Sequence, residues 1–239
     1  MATETVDYDR VWSEWGDMSE NAPSPIHTRR LILNEAAKLT FNSVLDIGCG
    51  NGILISAAKR RFPDVPCAGA DIAQTAIDRA RRRWKDISFH QFDIQERSLN
   101  ERFDLILFSE VIEHLEHPER AVQNIRKMCS GYLILTTPTG SRLPTDLAFH
   151  HLKHFTTEEL RALVESNGFQ VIRLYLWGWP FQILFRRLIN MVPNMAHKQF
   201  VSGGNYGLLK RLTSVIWTGL FYLNVEGKGT QQVLVAKIR

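Results

Sequence analysis

Val44-Leu45-Asp46-Ile47-Gly48-Cys49-Gly50-Asn51-Gly52 passes from an apolar run into three alternating glycines, and Ile53-Leu-Ile-Ser-Ala-Ala follows with a helical pattern. The stretch reads as a strand, a tight turn and the start of a helix. Glycines at 48, 50 and 52 let the backbone take positive φ, so main-chain N–H groups and a helix N-terminus can approach a ligand closely. The spacing is not GxGxxG, because the third glycine comes one place early and Asp46 precedes the first. Ile53 after Gly52, with no Lys-Ser/Thr, excludes a phosphate-binding P-loop. By itself the turn is also compatible with a plain strand-to-helix connection.

Outward from this turn, short apolar runs alternate with helical patterns over about residues 42–176. PCAGADI (66–72) precedes AQTAIDRARRRW (73–84), and ISFHQFD (87–93) follows. FDLILFSE (103–110) then precedes PERAVQNIRKM (118–128), and YLILTTP (132–138) closes the series. Nearly continuous apolar strands are expected where helices cover both faces of a parallel sheet, so the fold class is α/β, a three-layer, Rossmann-like doubly wound sheet. Ligands bind such sheets at the carboxyl ends of the strands. The chain is read as one domain, with residues 1–41 as a helical N-terminal cap that includes a helix over Ser24–Leu39, and 42–176 as a cofactor-binding core. Residues 177–229 are a helical insertion before the last strand, which occupies 230–239. Thr156-Thr-Glu-Glu predicts a capped helix start and Gly168 its stop.

An acid ends each of the next two strands. Asp71 stands where a carboxylate accepts both hydroxyls of a ribose in this fold class, and Asp93 where an acceptor meets an exocyclic amine; each alone also suits a turn or helix cap. DIGCGNG, Asp71, Asp93 and FDLILFSEVIEHL together resemble the class I S-adenosylmethionine-dependent methyltransferases. The resemblance covers roughly residues 42–176 and implies a seven-stranded sheet with an antiparallel last strand. It also implies that Asp46 and the backbone of Gly48, Cys49, Gly50 and Gly52 hold the methionine part of the methyl donor. Asp71 would bind its ribose, Ile72 would pack on adenine, and Asp93 with Ile94 would meet the adenine edge.

Glu110-Val-Ile-Glu113-His114 follows the fourth core strand, and His150, His151 and His154 cluster later. If 110–114 is helical, Glu110, Glu113 and His114 share a face, and with His151 they could ligate a divalent cation. Alternatively Glu110 touches the cofactor and a histidine, first His114 and then His150, His151 or His154, takes a proton from the acceptor, with Glu113 beside it. The stretch is similar to the metal-binding motif of small-RNA 2′-O-methyltransferases, whose downstream pattern is absent here. It is equally similar to the ubiquinone-biosynthesis O-methyltransferases, which FHHLKHFTTEEL resembles more. That resemblance implies O-methylation of an apolar, aromatic or lipid-linked small molecule with S-adenosylmethionine as cofactor, a divalent metal on Glu110, Glu113, His114 and His151 remaining the alternative. The rivals are a metal-dependent RNA 2′-O-methyltransferase, an N- or C-methyltransferase, and a cofactor-binding scaffold without catalysis.

The 239 residues carry 29 basic and 25 acidic side chains, too small an excess for a nucleic-acid binder if spread evenly. It is not spread evenly. Residues 166–225 hold Arg173, Arg186, Arg187, Lys198, Lys210 and Arg211 and no acid. The same stretch spaces Phe181, Leu184, Phe185, Leu188 and Val192, and later Leu208, Leu209, Leu212, Val215, Ile216, Leu220 and Leu223, as two amphipathic helices around Gly203-Gly204-Asn205. A lid, a homodimer surface and docking on an anionic membrane are the readings of these helices. The run Arg79–Lys85 is read as complementing a helix C-terminus. Tyr8, Trp12 and Trp15 are expected either to close over the site or to pack on the sheet. Cys49, Cys67 and Cys129 lack CxxC spacing, and MATETVDYDRVW lacks a basic-then-apolar leader pattern, so a reducing cytoplasmic setting is expected. The longest charge-free apolar stretch, Leu212–Val225, is too short to span a bilayer.

Overall fold

The computed structural model describes residues 6–14, 17–191 and 207–239. Expectations resting on Trp15, Val192, Lys198, Gly203-Gly204-Asn205 and the side chain of Leu209 lie outside what it describes. Seven strands form one sheet: β1 (Val44–Ile47), β2 (Cys67–Asp71), β3 (Ser88–Gln91), β4 (Phe103–Ser109), β5 (Cys129–Pro138), β6 (Phe169–Trp179) and β7 (Val225–Ile238). Their order is β3-β2-β1-β4-β5-β7-β6. The first five pair in parallel, and β7 runs antiparallel to both β5 and β6. This is the doubly wound sheet that the sequence predicts. Leu45, Leu105, Ile106, Leu107, Phe108, Leu133, Ile134 and Leu135 are fully buried, which explains why these strands read as unbroken apolar runs.

The helices are α1 (Tyr8–Glu14), α2 (Met18–Asn21), α3 (Pro23–Ala36), α4 (Ile53–Arg61), α5 (Gln74–Arg83), α6 (Pro118–Met128), α7 (Pro144–Ala148), α8 (Thr157–Ser166), α9 (Phe181–Met191) and α10 (Leu208–Phe221). One core forms where Ile125, Leu160 and Val164 meet Leu133 and Leu135. The other forms where Ile32, Ile55 and Ile77 meet Leu105 and Leu107. α8 begins as expected: the Thr156 hydroxyl accepts from Glu159 N–H while the Glu159 carboxylate accepts from Thr156 N–H.

Three local expectations change. The predicted helix over Ser24–Leu39 is α3, which starts one residue earlier on Pro23 and stops at Ala36. The last strand begins at Val225 rather than 230, and β6 runs on to Trp179, so the segment between them is 180–224. Val225–Lys228 are exposed, with Gly227 and Gly229 at positive φ, so this ribbon of β6 and β7 leaves the core and carries no alternating signal to read. The arginines of α5 do more than face a dipole. Arg79 donates to Trp12 O, Arg81 to Phe89 O at 2.7 Å, and Arg83 to Glu20, so Arg79 and Arg83 tie the N-terminal segment to α5.

Candidate active site

A cavity of about 750 Å³ opens at the carboxyl ends of β1, β2 and β4. Of the residues singled out in the sequence, Gly48, Asp71, Ile72, Asp93, Ile94, Glu110 and His114 line it. Asp71 is buried at the end of β2. Its Oδ2 accepts from Gly50 N–H at 2.8 Å and its Oδ1 from Ala73 N–H at 2.9 Å, so each oxygen keeps a lone pair for a ligand hydroxyl. Burial raises its pKa, while those N–H groups oppose the rise. Asp93 accepts from Gln95 N–H at 2.8 Å, and Ile72, Phe92, Ile94, Val111 and Leu115 supply apolar wall around it. A buried acceptor pair beside an apolar slot with one further carboxylate fits ribose and adenine.

Four residues assigned to the methyl donor do not line the cavity: Asp46, Cys49, Gly50 and Gly52. Asp46 is 1% exposed and faces the Ile55 N–H in the first turn of α4, with its Oδ2 unpartnered. Burial, and then the charge of Asp71, raises its pKa well above the usual carboxylate range. The glycines answer to packing. A Cβ on Gly50, at φ 52°, would lie 2.2 Å from the Trp12 ring, and one on Gly52 would meet Trp84 and Phe89. α1 therefore covers the turn, and Val6, Tyr8, Arg10, Val11 and Trp12 complete the cavity wall. Of the N-terminal aromatics, Tyr8 and Trp12 thus lie at the site; burial beside Asp71, Glu113 and Asp93 pushes the Tyr8 phenol up to about 12, so it stays a hydrogen-bond donor.

The acid and histidine stretch is not an α-helix. Glu110 adopts φ 55°, and only Ile112–His114 form a 3₁₀ turn, so Glu110 does not share a face with Glu113 and His114. Its Oε1 accepts from Gln231 Nε2 at 2.7 Å. Glu113 lies fully buried behind the cavity wall; Thr137 Oγ1 donates to its Oε2 at 2.9 Å, and its Oε1 has no partner. Burial and then the neighbouring Glu110 raise its pKa well above normal. Its backbone oxygen accepts from Leu152 and Lys153 N–H, which latches the 150–154 segment against His114. The His114 and His151 rings meet edge to face at 4.8 Å.

Because carbonyls only accept, the contacts fix tautomers. His154 Nδ1 donates to Gly140 O at 3.0 Å, so its Nε2 accepts from His151 Nδ1 at 2.9 Å. His114 Nδ1 donates to His150 O at 3.3 Å, which leaves Nε2 with a lone pair. Burial pushes His114 down to about 4 and lowers His151 further. His114 and His150 line the cavity, whereas His151 and His154 stand behind them. Ligand atoms of Glu113, His114 and His151 lie within 4.8 Å of one another, so the predicted four-residue cation cluster is reduced to three, without Glu110. His150, one of the later base candidates, also lines the cavity and holds φ 61°, and Phe149, which carried no signal in the sequence, lies beside it.

This doubly wound seven-stranded sheet, with its cavity at the carboxyl ends of the strands, is the fold of S-adenosylmethionine-dependent methyltransferases of known structure. The chain belongs to the family described as a methyltransferase domain, whose model matches residues 18–174. It is 26% identical over 136 residues to the malonyl-[acyl-carrier protein] O-methyltransferase of Bacillus cereus, over 55% of this chain and 48% of that relative. To the ubiquinone biosynthesis O-methyltransferase of Histophilus somni it is 29% identical over 147 residues, 54% of this chain and 60% of the relative. The matches thus span about half the length of these relatives. The magnesium protoporphyrin IX methyltransferase of Synechocystis PCC 6803, solved with bound SAH, superposes with TM-score 0.56 at 14% identity, covering 100% of this chain and 90% of that one. A TehB-like SAM-dependent methyltransferase from Corynebacterium glutamicum gives 0.54 at 15% identity, with coverages of 89% and 87%.

Proposed function

We propose that the protein transfers the methyl group to a hydroxyl of an apolar, aromatic or lipid-linked small molecule, with His114 as general base. The observation that carries this is His114 itself: its imidazole lines the donor cavity, with Nδ1 committed to His150 O and Nε2 free to take a proton. The bound donor supplies an activated methyl on a sulfonium, so the protein must align a nucleophile and accept its proton. Asp71, Asp93 and the apolar wall position the adenosine, and Tyr8, Val11, Trp12, Phe149 and His150 enclose the remaining volume and exclude water. O-methylation by the curated relatives supports the reaction type.

A base held near 4 is already deprotonated at neutral pH, so kcat should stay level as pH falls from 8 to below 6. His114→Gln should lower kcat about 10²–10⁴-fold while donor affinity by calorimetry changes little. Full activity in that variant would exclude the role. The three-residue cluster of Glu113, His114 and His151 favours one second reading, metal-assisted transfer. Under that reading a chelator abolishes activity and a divalent cation restores it, whereas under the base reading chelation has no effect.

A further inference from the structure

Among the described residues, eleven of the fifteen large apolar side chains that stand exposed belong to residues 179–225, so the surface is apolar mainly in one place. On α10, Leu208, Leu212, Val215 and Ile216, with Leu223 just beyond, share one side about 100° wide. The opposite side is already occupied. Ser214 donates to Asn21 O, Thr218 O meets the buried His27, and Phe221 packs on Trp177. On α9, Leu184, Leu188 and Met191 recur at helical spacing and are likewise exposed, while Gln182 and Arg186 face inward. Phe185 and Trp217 join the two helices with ring centroids 5.0 Å apart. The outward stripes are therefore not needed for the fold.

Each stripe is flanked by an exposed cation one step round the helix: Arg187 on α9 and Arg211 on α10, the latter 60% exposed and 3.3 Å from Asp17. Lys228 lies over the Trp179 ring. No carboxylate occurs between Glu165 and Glu226. We propose that α9 and α10 form a docking face for an anionic lipid bilayer. The charge decides between occupants. In a symmetric pairing of two copies the same patch meets itself, so Arg187 and Lys228 would face like charge, the neighbouring acids Asp17 and Glu226 being already paired with Arg211 and Arg173. A bilayer with anionic headgroups offers the complementary charge and an apolar interior.

The face also lies where a docked membrane would serve the site. β6 and β5 are both antiparallel to β7 and so parallel to each other, which places the start of α9 at the carboxyl edge of the sheet. There Arg186 holds Asp146 of α7 at 2.6 Å, and α7 leads directly to Phe149 and His150 in the cavity wall.

The test is binding of the whole chain to phosphatidylcholine vesicles with and without phosphatidylglycerol, by flotation at low and high salt, with no methyl donor present. Its result is therefore separate from that of the acceptor chemistry. Binding should be about tenfold or more tighter to the anionic vesicles and should weaken at high salt. Leu212→Asp with Ile216→Asp should abolish it, and Arg187→Glu should reduce it, while calorimetry shows donor binding intact. Equal binding to both vesicles, no binding, or indifference to these substitutions overturns the proposal. So does a lipid-free dimer that the Leu212→Asp, Ile216→Asp variant dissolves, since the occupant would then be a second copy.

Discussion

Asp71 carries two tasks with one carboxylate. It closes the glycine turn through Gly50 and Ala73 N–H, and it faces the cavity with the lone pairs that remain. Asp71→Asn removes charge and turns one acceptor into an N–H donor aimed at another N–H. We expect donor affinity to fall about 10–100-fold by calorimetry, with a loss of about 1–3 kcal/mol in stability. Unchanged affinity would place the ribose elsewhere. Asp71, Asp93, Glu110 and His114 were legible in the sequence because a parallel sheet delivers strand ends to one edge, so chemistry placed just after a strand reaches the site. Asp46, Gly50 and Gly52 stand off the cavity wall in this structure, and packing supplies a second reason for them. Positive φ and close approach are demanded as much by Trp12 and Phe89 as by any ligand, and sequence alone cannot separate the two.

Two elements border the cavity. α1 rests on the glycine turn, held by Arg79 to Trp12 O and by Asp9, whose carboxylate accepts from Thr75 N–H. Gly50→Ala puts a methyl into the Trp12 ring at a φ that favours glycine, so α1 should lift. Faster proteolytic cleavage before residue 18 would report that, and an unchanged rate would show α1 to be indifferent to the turn. The second element is the α7–α9 clasp. Arg186 and Asp146 are 12% and 9% exposed, and Asn190 bonds Thr145 beside them. Arg186→Ala strands a buried carboxylate and should cost about 3–5 kcal/mol in urea unfolding. A loss under about 1 kcal/mol would mean the pair is solvated in effect. The helices and strands of the core were legible from periodicity. The 110–114 turn was not, because the strained φ of Glu110 follows from where β4 must release the chain and leaves no mark in composition.

Across the whole molecule, two kinds of sequence meet. Residues 42–176 alternate strand and helix under the constraint of a covered sheet, and they reveal the fold and the donor cavity. The segment from 180 to 224 obeys no such rule: its described helices turn Leu184, Leu188, Leu208, Leu212, Val215 and Ile216 outward and pack Phe181, Phe185, Trp217 and Phe221 inward. The strand order adds a consequence in time. β6 bonds to the sheet only through β7, which is inserted between it and β5. Synthesis delivers β6, α9 and α10 before the strand that anchors them. For that interval β6 hangs beside an unfinished sheet with both edges unpaired, a template for misassembly, and the arrival of β7 closes one of those edges.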